Sequence, residues 1–435
     1  MKVEEIERLM LEPLSPTPSC FLSLSHFDMK YIFHPYMQGV AFYPGSRSDV
    51  QNESLIHQAR LSLSKVLLHF YPAAGRLALS SDGNSYGIDC NAAGVEWTVA
   101  RADFPLDNLD YSQPSPDFSA LIRSGKYGSS AAPLGSPLLS IQVTRFSCGG
   151  ISVAWAADHA LADGTGRVHF LVSWAESCLK GEISQVPRID RDLGPQQLDY
   201  PRASDFSPVA SGGHDLPKSG NIAMSGRIFC FERAYIEKLK EMAGVGLSRF
   251  TVLCAHIWIN MCAARDLPDS TSTTNSMAAN CRKRLAPQLP DDFFGNAVLH
   301  AVATTTAGEL RKGGLRHAAS LLEDAVSTSF GMEGITKKLS SKGIAADKLG
   351  RNCNMLCSSS PRFRYYEIDL GWGRPEAVRH VGLERLGLDG LCMFNPHPRS
   401  PQGIEVTITL PTWTLERLRR LLEDAWSAYL SCETK

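Results

Sequence analysis

Residues 151–166 read ISVAWAADHALADGTG and join a strand pattern to a helix pattern. Large apolar side chains alternate with small residues from Ile151 to Trp155, which is the period of a half-buried strand. From Val168 onward, the apolar residues return at helical spacing. The connection between the two patterns carries three residues suited to a site: His159, Asp163 and Gly164.

His159 is the candidate catalytic base of this connection. A neutral imidazole can take a proton from a hydroxyl or an amine and pass it to a leaving group, because its ordinary pKa lies near neutrality. Asp163 could orient that imidazole, or it could turn away and hold the loop through an arginine, and Gly164 would permit the tight turn that follows. The spacing leaves both roles of Asp163 open, and a structural histidine is the alternative to a catalytic one. No third metal ligand lies at usable spacing, so the pattern predicts no metal site.

The composition is that of a globular protein with no polyanionic partner. The 435 residues include 44 Lys and Arg against 45 Asp and Glu, for a net charge of −1, and 43% of them are hydrophobic. We therefore expect neither nucleic acid nor a membrane surface as a partner. No apolar run has the length of a signal-peptide core or the roughly 18 residues of a membrane span, which predicts a cytoplasmic protein without membrane insertion. Twelve scattered cysteines without a C-x-x-C pair favour reduced thiols.

The length favours two domains, and both halves of the chain mix strand and helix patterns. We predict an α/β fold with an N-terminal domain at residues 1–180 that carries His159, and a C-terminal domain at residues 221–435. The intervening residues 181–220 contain prolines and glycines without sustained periodicity, and they are predicted to be a linker. A strand at 139–143 forms a predicted hairpin with the strand before His159. Further predicted elements are two short strands around a turn within 20–43, a helix over 53–69, a helix capped by Ser248, and a strand at 404–410 followed by an amphipathic helix.

Residues 358–375 form the second unusual stretch, SSSPRFRYYEIDLGWGRP. Two glycines flank Trp372, which indicates a tight backbone path beneath a large ring. Asp369 is predicted to be the ion-pair partner of an arginine such as Arg282 or Arg284 rather than a second base. We interpret the stretch as a structural turn made by Asp369, Gly371, Trp372 and Gly373.

Together, the two stretches resemble the paired His-x-x-x-Asp and Asp-Phe-Gly-Trp-Gly signatures of the plant BAHD acyltransferases. Here the signatures read HALAD at 159–163 and DLGWG at 369–373. The resemblance extends to YPAAGRL at 71–77, the run at 280–297, the helix that Ser248 begins, and the closing strand and helix, so it spans almost the whole chain. Within the family, the SSSPRF segment and the CNAAGVEW turn are similar to the subgroup that includes the cuticle protein Defective in Cuticular Ridges.

The resemblance implies a coenzyme A-dependent acyltransferase with two chloramphenicol-acetyltransferase-like domains, each a mixed β-sheet with flanking helices, and an active-site channel between them. His159 would deprotonate a hydroxyl or amine acceptor, which attacks the thioester carbonyl in a ternary complex without an acyl-enzyme. Asp163 would hold the loop, and Asp369 would pair with an arginine far from the chemistry. The implied partners are an acyl-CoA co-substrate and a small-molecule acceptor, with no permanently bound cofactor and a monomeric protein.

Two positions depart from the family pattern. Leu370 replaces the usual phenylalanine, a change that a packed turn tolerates. Ser360 stands where many hydroxycinnamoyl-transferring members carry a tryptophan credited with a role near the oxyanion, so a roomier acyl pocket is expected. The oxyanion donor is left open among Ser358, Ser360 and Asn296.

Candidate coenzyme contacts follow from charge and from the family match. Ser248 and Arg249 begin a helix whose N-terminus approaches the coenzyme in the family, and its dipole suits a phosphate or pantetheine oxygen. Arg282 and Arg284 could serve phosphates instead of Asp369, with a solvated basic loop as the alternative.

The sequence leaves three functions open. The first is acyl transfer from an acyl-CoA to oxygen or nitrogen, with a hydroxylated fatty acyl or cutin precursor, or a phenolic or other specialised plant metabolite, as acceptor. The second is amide formation as in the condensation domains of peptide assembly, which share the motif but usually carry a second histidine where this chain has Asp158. The third is a non-catalytic ligand binder on the same scaffold, against which the intact His159 argues.

Overall fold

A computed structural model describes residues 1–32, 34–123, 134–191, 202–203, 223–244, 246–340 and 354–432. The strands within these ranges are β1 (Val3–Leu11), β2 (Phe21–Ser23), β3 (Met37–Tyr43), β4 (Arg76–Leu79), β5 (Tyr86–Asp89), β6 (Val95–Ala102), β7 (Leu139–Arg145), β8 (Ile151–Ala157), β9 (Met224–Phe231), β10 (Ser272–Asn280), β11 (Val298–Thr306), β12 (Asn354–Ser359), β13 (Ala377–His380), β14 (Leu391–Pro396) and β15 (Ile404–Pro411). The α-helices are α1 (His26–Met29), α2 (Asp49–Val66), α3 (Gly164–Lys180), α4 (Arg233–Ala243), α5 (Arg249–Ala264), α6 (Ala307–Ser329), α7 (Met332–Ser340) and α8 (Thr412–Cys432).

Two six-stranded mixed sheets form the frame of the molecule. The first has the order β1-β6-β7-β8-β3-β13, in which only β6 and β7 run parallel to each other. The second has the order β11-β10-β12-β14-β15-β9, in which β12 is parallel to both of its neighbours. A smaller sheet has the order β2-β5-β4. This arrangement confirms the predicted α/β class with two mixed sheets.

Each large sheet shares a hydrophobic core with its own helices. Helices α2 and α3 bury their apolar faces in the core of the first sheet, and α4, α5, α6 and α8 do so in the core of the second. Most of the free energy that holds each half together therefore comes from apolar surface removed from water. No helix among the described residues is both long and apolar enough to cross a membrane.

Helix α3 begins and ends at residues with clear capping roles. The Asp163 side chain accepts the backbone N–H of Gly166 at 3.0 Å, and Gly181 ends the helix in the left-handed conformation at φ 81°. Trp174 on the buried face donates from Nε1 to the carbonyl oxygen of Ala59 at 2.9 Å, which ties α3 to α2. The N-terminus of α3 is thereby fixed at the end of β8.

Capping residues explain where the elements differ from the sequence prediction. The helix predicted over 53–69 begins at Asp49, because Ser48 forms a capping box with Gln51. Within 20–43, the predicted turn contains the one-turn helix α1, which also begins with a capping box. The hairpin of β7 and β8, the Ser248 cap of α5, and the closing β15 and α8 are confirmed.

The C-terminal half of the chain contributes to both large sheets. Strand β13 pairs with β3 antiparallel, from Ala377 opposite Phe42 to His380 opposite Gly39. The DLGWG segment was predicted within the C-terminal domain, but its Leu370 lies in the core of the first sheet. A division of the sequence into two consecutive domains does not describe this return of the chain to the first sheet. Most of the predicted linker, residues 192–201 and 204–220, lies outside the described residues, and the domain boundaries stay predictions.

The DLGWG turn combines positive backbone angles with a buried ring. Trp372 is buried and donates from Nε1 to Asn52 Oδ1 at 3.0 Å. Gly371 and Gly373 have φ of 97° and 92°, which side chains other than glycine rarely adopt. A Cβ at Gly371 would lie 2.7 Å from Leu55 Cδ2, whereas one at Gly373 would meet open space.

We predict that Gly371→Ala destabilises the protein more than Gly373→Ala. Both variants carry the backbone strain, on the order of 1–3 kcal/mol, but only Gly371→Ala also forces Leu55 to move. The free energy of unfolding from urea denaturation measures both. Equal values would show that Leu55 moves aside without cost.

Candidate active site

His159 lies two residues beyond the end of β8, on the connection to α3, as the sequence predicts. Its carbonyl oxygen accepts a hydrogen bond from Asn296 Nδ2 at 2.9 Å. The same amide nitrogen donates to Asp28 Oδ1 at 2.8 Å, and Asp28 forms a buried ion pair with Arg191 at 2.6 Å. Segments from both halves of the chain therefore hold the backbone of the His159 loop.

Asp163 turns away from the imidazole and forms a buried ion pair. Its carboxylate oxygens accept hydrogen bonds from Arg282 Nη1 at 2.8 Å and Nη2 at 3.0 Å, and one of them also accepts the backbone N–H of Ala297 at 2.9 Å. Burial alone would raise the pKa of Asp163, but Arg282 and the hydrogen bonds hold it below its ordinary value. Of the two roles that the spacing left open, this geometry matches the one that holds the loop.

The predicted ion pair between Asp369 and Arg282 or Arg284 is wrong. Asp369 Oδ1 accepts the backbone N–H groups of Gly371 at 2.8 Å and Gly373 at 2.9 Å, so the carboxylate shapes its own turn. Arg282 pairs with Asp163 instead, because the fold brings that carboxylate next to its guanidinium. No sequence pattern predicts which of the two aspartates lies closer.

The structure contradicts the coenzyme role predicted for Arg282, and the role predicted for Arg284 stays a prediction. Arg282 is 0% exposed, and its Nη atoms donate to Asp163 and to the carbonyl oxygens of Phe293 and Gly295, so the prediction that it serves a phosphate is wrong. Arg284 is exposed, but it donates to the carbonyl oxygen of Asn280 at 3.1 Å and its guanidinium lies 4.9 Å from the centroid of the Phe330 ring. It does not line the cavity described next.

His159 lines a cavity of about 970 Å³ whose walls come from both halves of the chain. This volume is at the upper end of the range for small-molecule sites. One group of lining residues is apolar: Leu383, Leu386, Leu388, Leu391 and Met393. Another is hydroxylated: Ser358, Ser359 and Ser360. A third group contains two cationic side chains and the residue that caps α5: Lys240, Arg249 and Ser248.

The His159 ring is packed so that its neutral form is favoured. Tyr31 stacks on it with ring centroids 3.9 Å apart and planes 10° from parallel, and the His34 ring lies 6.0 Å away. Burial, followed by electrostatic interactions with Arg167 and His34, lowers the pKa of His159 well below its ordinary value. The imidazole is therefore unprotonated at neutral pH, as a general base must be.

The structure separates the three candidate oxyanion donors. Asn296 is 1% exposed and both of its amide hydrogens face acceptors, Asp28 Oδ1 and the His159 carbonyl. Its candidacy as a donor is therefore wrong, because it positions the loop instead. Ser358 and Ser360 line the cavity and keep their candidacy.

Sequence reasoning missed several residues around the imidazole. Tyr31 and His34 come from a loop with no motif of its own, and no sequence signal places them against His159. Arg167 lies in the first turn of α3, four residues after the capping Asp163. That spacing could have indicated Arg167 as a site residue.

One trio of ligand-type side chains within the described ranges lies close enough to share an ion. The ligand atoms of Cys230, His397 and Glu405 are within 4.8 Å of one another. Glu405 is already paired with Arg379 at 2.9 Å, and none of the trio lines the cavity of His159.

Comparisons with known proteins agree with this architecture. A family model described as the Transferase family matches residues 1–424. Rosmarinate synthase from Plectranthus scutellarioides is 32% identical over 448 residues, covering 98% of this chain and 100% of that protein. Hydroxycinnamoyltransferase from Narcissus pseudonarcissus is 30% identical over 441 residues, covering 96% of this chain and 98% of that protein. The crystal structure of vinorine synthase has a TM-score of 0.74 at 21% identity, covering 96% of each chain.

The two mixed sheets and the cavity that both halves line match the fold of vinorine synthase. Because the family model spans nearly the whole sequence, the chain belongs to the Transferase family, the BAHD acyltransferases, and it is an acyl-CoA-dependent enzyme. The resemblance drawn from the two motifs is thus confirmed at the level of the family. Membership of the cuticle subgroup stays a prediction.

Proposed function

We propose that the chain transfers an acyl group from an acyl-CoA thioester to a hydroxyl or amine of a small molecule, with His159 as the single general base. The observation that carries this proposal is the position of the partly buried His159 ring, stacked on Tyr31, on the wall of a cavity that both halves of the chain line. A base in that position can contact an acceptor bound against one half of the chain while the thioester is bound against the other half.

The proposed reaction takes place in one ternary complex. His159 takes the proton of the acceptor hydroxyl or amine while its oxygen or nitrogen attacks the thioester carbonyl, which gives a tetrahedral intermediate. Collapse of that intermediate breaks the C–S bond, and His159 returns the proton to the thiolate, so coenzyme A leaves as a thiol and the ring is neutral again. The acceptor is itself the nucleophile, so no acyl-enzyme forms.

The side chains of Ser358 and Ser360 are proposed to stabilise the oxyanion of that intermediate. Ser360 Oγ accepts the backbone N–H of Arg362 at 3.2 Å, which leaves its own O–H to donate. Ser358 lies two residues before it on β12, and both line the cavity. Preorganised donors at such a position stabilise the developing charge.

The start of α5 is proposed to meet the coenzyme. Ser248 is exposed and caps the helix by accepting the backbone N–H of Thr251 at 3.0 Å, and Arg249 is paired with Glu237 at 3.1 Å. With Lys240 beside them on the cavity wall, the helix dipole and two cations favour phosphate oxygens.

The apolar part of the cavity supports an acceptor or acyl group with substantial hydrocarbon surface. Hydroxylated fatty acyl or cutin precursors and phenolic metabolites are the proposed acceptor classes, and the five apolar side chains from Leu383 to Met393 would cover such groups. A monomeric state and a cytoplasmic location stay predictions.

A substrate panel tests the proposed function. Thiol release is measured from acetyl-, hydroxycinnamoyl- and long-chain acyl-CoA, each with and without hydroxylated fatty, phenolic and amine acceptors. We expect release that depends on the acceptor and is lost in His159→Ala. Binding of these compounds without acceptor-dependent release from any pair would favour the non-catalytic ligand binder.

A further inference from the structure

Cys20 and Cys90 lie opposite each other at one end of the small sheet β2-β5-β4. Cys20 directly precedes β2 and Cys90 directly follows β5, and the antiparallel register places Phe21 opposite Asp89. The backbone N–H of Cys90 donates to the carbonyl oxygen of Cys20 at 2.9 Å, which extends that register by one residue. The two side chains therefore leave the same face of the sheet.

The thiols of this pair are already in contact. The side chains of Cys20 and Cys90 are within hydrogen-bonding reach of each other, and the Tyr71 hydroxyl is hydrogen-bonded to Cys20 as well. Opposed residues that share hydrogen bonds in an antiparallel pair have Cα atoms about 5.5 Å apart, and a disulfide requires about 4.4–6.8 Å. A bond between the two sulfurs therefore needs rotation of the side chains rather than movement of the backbone.

The two thiols differ in their access to solvent. Cys20 is exposed, whereas Cys90 is 2% exposed and belongs to the core of the first sheet. Burial, followed by interactions with Cys20, raises the pKa of Cys90 to about 12, so Cys90 stays a protonated thiol near neutral pH. An oxidant from solvent would therefore react first with Cys20, and the oxidised group would lie beside a thiol.

Other cysteines of the chain have one of these properties without the other. Cys254 and Cys357 are also within hydrogen-bonding reach of each other, but both are 0% exposed. Cys230 is exposed, but its thiol donates to a carboxylate oxygen at 3.8 Å. The pair at the end of β2 and β5 combines an exposed thiol with a neighbouring one.

We propose that Cys20 is a site of reversible oxidation by peroxide and that Cys90 resolves it to a disulfide. First, the Cys20 sulfur attacks one oxygen of hydrogen peroxide: an S–O bond forms, the O–O bond breaks and water leaves, so the sulfur is oxidised to a sulfenic acid while the peroxide is reduced. Next, the Cys90 sulfur attacks the sulfenic sulfur: the S–S bond forms, the S–O bond breaks, and the hydroxyl leaves with the Cys90 proton as a second water. A dithiol reductant reverses the reaction by exchange.

The disulfide would tie a segment that reaches the active site to the small sheet. Strand β2 leads into α1, which carries Asp28 of the buried ion pair, and then to Tyr31, which stacks on His159. A cross-link at the start of β2 also lowers the conformational entropy of the unfolded chain across the long loop between the two cysteines. We therefore expect the oxidised protein to unfold at a higher temperature than the reduced protein.

The test treats the whole reduced chain with hydrogen peroxide after the reductant has been removed. Remaining thiols are alkylated, and linked peptides are identified by mass spectrometry of a non-reduced digest. The melting temperature is measured before and after treatment. The variants are Cys20→Ser, Cys90→Ala and, as a matched control at the other exposed thiol, Cys230→Ser. These measurements need no turnover, so their outcome is independent of the proposed acyl transfer.

In wild type and in Cys230→Ser, we expect a linked Cys20–Cys90 peptide pair that dithiothreitol separates, and a melting temperature raised by roughly 5 °C. Cys90→Ala should instead accumulate a sulfenic acid at Cys20, which dimedone traps. Cys20→Ser should form no link to Cys90. Neither of these two variants should show the rise in melting temperature.

Two results would overturn the proposal: free thiols at both Cys20 and Cys90 under peroxide treatment that oxidises Cys230, or a link from Cys20 to another cysteine in place of Cys90. A linked pair that melts no higher than the reduced protein would contradict the proposed stabilisation. If Cys90→Ala does not fold, the comparison of Cys20→Ser with Cys230→Ser decides, because both changes lie at exposed positions.

Discussion

Replacing His159 with alanine is expected to lower kcat for acyl transfer by roughly 10²- to 10⁴-fold, the usual contribution of a positioned general base. The variant lacks the group that takes the acceptor proton, while the cavity and the serine donors stay in place. The backbone bond from Asn296 goes to the carbonyl oxygen of His159, not to its ring, so the loop keeps that support. KM for the acyl-CoA should change little.

A second histidine of the same cavity supplies the matched control. His380 lines the cavity, and its Nε2 lies 3.1 Å from Asn395 Oδ1. His380→Gln keeps a donor for that contact and should keep most of the activity. If His159→Ala were folded and as active as wild type, or if both variants lost activity equally, His159 would not be the specific base.

Replacing Asp163 with alanine is expected to destabilise the fold by about 3–5 kcal/mol, because the change leaves Arg282 buried and unpaired. The same carboxylate caps α3 through Gly166 and accepts the backbone N–H of Ala297. These contacts join the His159 loop to the segment before β11, so their loss loosens the two halves where they meet. The free energy of unfolding from denaturant titration measures the effect.

A double-mutant cycle separates the ion pair from the other contacts of Asp163. The cycle compares wild type with Asp163→Asn, Arg282→Gln and the double variant, and the bidentate pair should make the summed losses of the two single variants exceed the loss in the double variant. The pH dependence of the folded Asp163→Asn variant should match that of wild type. A variant of Asp163 with unchanged stability but an altered pH profile would instead assign it to orienting the imidazole.

The secondary-structure elements around the active site were predicted from the sequence more accurately than the side-chain contacts between them. The strand and the helix around His159 have local signatures, namely alternating large and small residues and apolar residues at helical spacing, and both elements appear in the structure. The expected half-burial of the strand is wrong, because every residue of β8 is buried. The Ser248 cap of α5 was readable for the same reason. Local backbone preferences and side-chain periodicity are enough for such features.

Contacts between distant segments could not be read in this way. The partner of Arg282 is 119 residues away in the sequence, and the choice between Asp163 and Asp369 depends on how the halves pack. Asn296 lies in the matched family run, but its bond to His159 depends on the same packing. The pairing of β13 with β3 likewise depends on a return of the chain that has no local signal.

The pH dependence of kcat/KM in wild type and His159→Ala tests the central claim most directly. Burial, Arg167 and His34 lower the pKa of His159 well below 6.5, so its neutral form persists through neutral pH and is lost only as the pH falls through the lowered value. We predict a wild-type rate that is flat near neutrality and falls with unit slope in acid, at a midpoint below 6.5, while the protein stays folded. The residual rate of His159→Ala should lack that limb. An acid limb retained in His159→Ala, or a wild-type rate that is flat from acid to alkaline pH, would contradict the assignment of His159 as the base.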